Sequence, residues 1–172
     1  MIRTYERDLR VQIPAAAVTV ALTMLLPFIV HSFGGPPVGA RWLPLFYAPF
    51  LAAMMFHPLV SLTAGVITPF LNHMITGSPV LPVAIILSFE LAVFSVVAYQ
   101  FTHRRPAFWG AAPLAYILAK VASLMLLAIW PGQLVTATPW QFFTTSLMNA
   151  WPGLLVLMAI NWLAVRGFRR NG

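Results

Sequence analysis

Two formal charges stand deep inside apolar runs of this chain. Glu90 lies in ILSFELAVFS, within the run 80–101, and Lys120 lies within the run 107–130. A charge at mid-membrane depth costs about 2.5–3.5 kcal/mol on insertion scales, so something must offset each of them. Glu90 is ten residues from Val80, and Lys120 is ten residues from Trp130. At a helical rise of 1.5 Å per residue, both lie about 15 Å below one and the same membrane face. Two chemistries follow from opposite charges at matched depth on consecutive antiparallel helices. They can pair as an interhelix clamp, or one or both can face a cavity and bind a polar ligand. A proton relay is the third use of such groups.

Other polar residues gather at similar or shallower depth. Asn149 is nine residues from Trp140, Asn72 and His73 close the third apolar run, and Arg41, Trp42 and Trp130 stand at run boundaries. Asn72 reads as a helix-end cap or a ligand group, and boundary tryptophans read first as interfacial anchors. The candidate substrate-binding set is therefore Glu90, Lys120, Asn149, Asn72, His73, Arg41 and Trp130. Nothing points to catalysis. His31, His57, His73 and His103 form no i,i+4 metal pair, and Ser-His-acid, HExxH and phosphate-loop patterns do not occur. With no cysteine there is no thiolate ligand or nucleophile. The expectation is a non-enzyme without metal or cofactor.

The elements that must position these residues are membrane helices. Of 172 residues, 60% are hydrophobic and 8% charged, whereas soluble domains carry about 25% charged residues. Six apolar runs, at about 11–31, 42–56, 58–75, 80–101, 107–130 and 140–165, approach the roughly 20 residues a spanning helix needs. They lack the alternation of barrel strands. The expected fold is all-α: one six-helix membrane domain over 1–172, with a tight turn at His57-Pro58. The first run is read as a retained helix because it exceeds a signal peptide's apolar core.

Basic residues set the expected orientation. Arg3, Arg7 and Arg10, then Arg104 and Arg105, then Arg166, Arg169 and Arg170 fall on one side if there are six spans, and Arg41 alone falls on the other. The positive-inside rule places both termini in the cytoplasm. These residues are scattered over helix ends, which suits anionic lipid and not nucleic acid. The outer connections SFGGPPVGAR, TGSP and PGQLVTATP are rich in Gly and Pro. The first and third are long enough to act as mobile lids; plain turns are the alternative. Ala17 and Ala21 form a small-xxx-small pair that permits close helix approach.

Four stretches together resemble a known family. They are the Ala17/Ala21 pair; Gly65 and Pro69 followed by Gly77 and Pro79 in GVITPFLNHMITGSPVLP; FEL at 89–91; and WPGLL at 151–155. In this order, over most of the chain, they are similar to the substrate-binding S-components of energy-coupling factor (ECF) vitamin transporters. The fifth span reads Lys120-Val-Ala-Ser and the chain starts Met1-Ile2, so the motifs name no substrate. The resemblance implies a prokaryotic inner-membrane protein that captures a vitamin-like molecule at the outer face. It also implies partners: a transmembrane coupling protein, docking near Ala17 and Ala21, and two ATPases. The alternatives from the residues themselves are an inner-membrane scaffold, with Glu90 and Lys120 sealed together and no polar cavity, and a stand-alone permease or membrane enzyme.

Overall fold

The computed structural model describes residues 8–130 and 137–170. Among them are eight α-helices and no strand: α1 (Leu9–Ser32), α2 (Gly35–Trp42), α3 (Pro44–Met55), α4 (Pro58–Thr76), α5 (Leu81–Arg104), α6 (Ala111–Ile129), α7 (Pro139–Asn149) and α8 (Trp151–Arg170). Five segments are long and apolar enough to cross a membrane, and the bent pair α7–α8 makes six if it is one span. The chain is an all-α, multi-pass membrane bundle. In hydrocarbon each backbone polar group must be satisfied within its own segment, which is why apolar runs of this length fold as helices.

Two sequence expectations change here. The second span does not begin at 42, and the first expected lid is mostly helix. Pro36 and Pro37 start α2 with the φ that a first helical turn requires, so GPPVGARW folds as a helix. A second correction concerns the sixth span. It is two helices meeting at Ala150 with a 59° bend, not one rod over 140–165. The third connection, PGQLVTATP, falls largely outside the described residues, as do Arg3 and Arg7.

The α2–α3 junction carries a local cost. Leu43 has φ 53°, the left-handed region, which disfavours an L side chain by about 1–2 kcal/mol. Its amide still closes α2 on the Gly39 carbonyl at 3.1 Å, and its side chain is buried in the core. Gly153 in WPGLL explains how α8 reaches this junction. A Cβ there would lie 2.7 Å from the Trp42 carbonyl carbon and 2.7 Å from Leu43 Cγ. Gly153→Val should therefore force the helices apart and cost about 1–3 kcal/mol in a denaturation titration. An unchanged midpoint would mean that α8 is free to slide.

Gly65 does the same work between α4 and α5, where a Cβ would lie 3.0 Å from Leu91 Cβ. Hydroxyls then tie the central helices. Ser61 Oγ donates to the Pro49 carbonyl at 2.7 Å and meets Ser95 Oγ at 2.8 Å. Ser88 Oγ donates to the Val66 carbonyl at 2.9 Å. The expected turn at His57-Pro58 is present, with His57 capping α4 and its amide donating to Gln12 Oε1 of α1 at 3.2 Å. Phe46, Phe50 and Phe94 fill the centre, with Phe46 edge-on to both Phe94 and Tyr116.

Candidate functional site

Tyr116, Lys120 and Ser123 repeat at i, i+4 and i+7, so they share one face of α6. That face meets α5 at Glu90. Lys120 Nζ donates to both carboxylate oxygens of Glu90, at 2.7 and 2.8 Å, and Ser123 Oγ donates to Oε1 at 2.7 Å. Glu90 is fully buried, and the Lys120 side chain is 7% exposed. The depth match read from the sequence thus produces a sealed ion pair. Three donors on one carboxylate provide the compensation that a charge in hydrocarbon requires.

The pair stands behind the wall of a cavity. The cavity has a volume of about 660 Å³, within the usual range for small-molecule sites. It lies at the end of the bundle where α1 and α4 finish and α5 begins, and α2, α3, α6 and α7 complete it. Lys120 lines it and Glu90 does not. Lys120 Nζ sits 5.6 Å from the Tyr116 ring centre and 5.4 Å from that of Phe142, so two aromatic rings flank the ammonium. Apolar wall comes from Met24, Phe28, Leu43, Phe46, Val83 and Leu87.

Of the residues expected from the sequence, Lys120, Asn72 and Asn149 reach this cavity. Asn149 is the last residue of α7, at the bend into α8, and Asn72 comes from the last turns of α4. The others stand elsewhere. His73 Nδ1 donates to the Pro79 carbonyl at 2.9 Å and so braces the α4–α5 turn. Arg41 is exposed in the last turn of α2, and Trp130 is exposed just past α6. Neither lines the cavity. Ala17 and Ala21 lie on the outward face of α1, exposed beside Ile13, Val18 and Leu22.

Several residues enter that sequence reasoning passed over. His31 lines the cavity and its ring lies directly against Gly39 of α2, where any Cβ would collide with it. Tyr116 contributes its ring to the wall, and the i−4 spacing from Lys120 was the available signal. Gln141 and Ser146 arrive from α7, whose start is pinned by a reciprocal capping box between Thr138 and Gln141. The T-x-x-Q spacing of Thr138 and Gln141 was the available signal for the start of α7, whereas no pattern in the sequence marks Ser146. Asn161 was also missed. It is fully buried in α8 and donates to the carbonyls of Phe108 and Trp109 at 3.2 and 2.5 Å, which fastens the α5–α6 connection at the far end. Among the described residues no group of three His, Cys, Asp or Glu side chains could hold a metal ion. Compared with protein-family models, with curated proteins and with solved structures, the chain matches none.

Proposed function

We propose that this chain is the substrate-capturing subunit of an ECF-type importer in a prokaryotic plasma membrane. The observation that carries this reading is the 660 Å³ cavity, which combines aromatic walls with Lys120, Asn72 and Asn149. It opens at the end opposite Arg104 and Arg166, so the positive-inside rule orients it outward. An outward cavity in a small bundle suits capture of a vitamin-like solute, with energy supplied by a transmembrane coupling protein and two ATPases. The role is binding and not catalysis. The order of the four family-like stretches supports the same reading. The outward face of α1 at Ala17 and Ala21 suits the docking of a partner helix.

A scaffold is the second reading, favoured by the sealing of Glu90 against Lys120. It has no use for the cavity beside them. Extraction of the protein in mild detergent, followed by mass spectrometry of released small molecules, separates the two. Capture predicts one solute near a one-to-one ratio, lost when Ser146→Trp fills the cavity. A scaffold predicts only lipid, unchanged by that substitution.

A further inference from the structure

We infer that the cavity selects a ligand of zero net charge: a planar ring system that presents hydrogen-bonding carbonyl, amide or hydroxyl groups. This rests on the capture reading and adds the class of substrate to it.

The first ground is the charge of the wall. Among the described residues Lys120 is the only Lys, Arg, Asp or Glu on the cavity surface. Its charge is already spent on Glu90, with both carboxylate oxygens engaged. Wherever the proton of that pair resides, the two groups sum to zero. An anion entering the cavity would have to compete with a carboxylate held by three donors. A cation would find Glu90 behind the wall with those donors in place. Either ion would give up hydration without a counter-charge, whereas a neutral molecule loses far less.

The second ground is the set of polar atoms that remain. An ammonium has three donors, and Lys120 uses two on Glu90, which leaves one for a neutral acceptor. Tyr116 is 1% exposed, lines the cavity, and its hydroxyl has no hydrogen-bond partner among the described residues. The side-chain amides of Asn72 and Asn149 and the hydroxyl of Ser146 are likewise unengaged by protein groups. These groups, neutral apart from the compensated lysine, offer both donors and acceptors, so they match carbonyls, amides and hydroxyls. The third ground is shape. Tyr116 and Phe142 flank Lys120, and Phe46, edge-on to Tyr116, lines the same cavity, which suits a flat ring.

The test uses three fluorescent coumarins that differ only in one arm: acetamide, acetate or ethylammonium. Binding is measured at about pH 8 for the parent and for His31→Gln, which removes the imidazole from the wall. The protein is held in nanodiscs of zwitterionic lipid, and the signal from empty nanodiscs is subtracted. Cavity binding is the part removed by Ser146→Trp; if that variant does not fold, the empty-disc subtraction alone defines it. The acetamide should bind at least about tenfold tighter than either ion, the minimum expected from burying an uncompensated charge. If the acetate or the ethylammonium binds tightest, or all three bind equally, the inference is overturned and the capture reading stands. If none shows protein-dependent binding, both fall.

Discussion

Glu90→Gln should lower the unfolding free energy by about 3–5 kcal/mol, the usual cost of stranding one member of a buried pair. Glutamine keeps the shape of the side chain but removes the charge that Lys120 requires. Lys120 then keeps an ammonium that is 7% exposed and has lost its counter-charge. Adding Lys120→Met should recover most of the loss, since an uncharged pair of similar volume leaves nothing stranded. Lys120→Met alone should be destabilising as well, because Glu90 would retain only Ser123 as a donor. Chemical denaturation of the four proteins in one detergent reads the cycle. A Glu90→Gln protein as stable as the parent would mean that the pair contributes nothing to the bundle.

On the importer reading proposed above, replacing Ala17 and Ala21 together with Leu should abolish uptake while fold and ligand binding persist. Both alanines are exposed on α1, so larger side chains there add to the surface and not to the core. On a partner helix they would push the axis outward from a normal separation of 8–10 Å. The coupling protein that this reading requires should then fail to co-purify. The cavity, formed on α1 only by Met24, Phe28 and His31, should be untouched. Transport of labelled solute into cells, pull-down of the coupling protein, and solute retention by the purified variant are the three measurements. Retained uptake would remove this face of α1 from the partner interface. Lost solute binding would show that α1 reshapes the cavity from a distance.

Much of the architecture was legible in the residues. Each spanning segment must satisfy its backbone within hydrocarbon on its own, so an apolar run of sufficient length reads as a helix without reference to its neighbours. The short His57-Pro58 turn was legible for a related reason, since proline starts a helix and cannot continue the preceding one. The Glu90–Lys120 pair was legible because depth is a count along each helix, and two charges at one depth must find each other or water. Whether they did both was not. The sequence left clamp and ligand group as alternatives, and the structure seals Glu90 while leaving Lys120 on the cavity wall.

The misreadings share one cause. SFGGPPVGAR looked like a loop because Gly and Pro punctuate helices, yet Pro36 and Pro37 sit where proline begins a helix, and α8 packs close against its end through Gly153. The break at Ala150 was marked by Pro152 and Gly153 just beyond it, a helix-start signal masked by the apolar residues on either side. Asn72 and His73 are adjacent in sequence, but one lines the cavity and the other braces a turn. Thus the residues alone determined that this protein is an all-helical membrane bundle, and that Glu90 and Lys120 stand at matching counts along neighbouring apolar segments. Those properties depend on the solvent around each segment taken singly. Which face each helix turns inward, where α7 bends into α8, and which side chains from α1, α4, α6 and α7 meet around one cavity were decided only in the tertiary structure. They depend on shape complementarity between segments far apart in the chain, and an apolar run carries little periodic signal for it when both of its faces are hydrophobic.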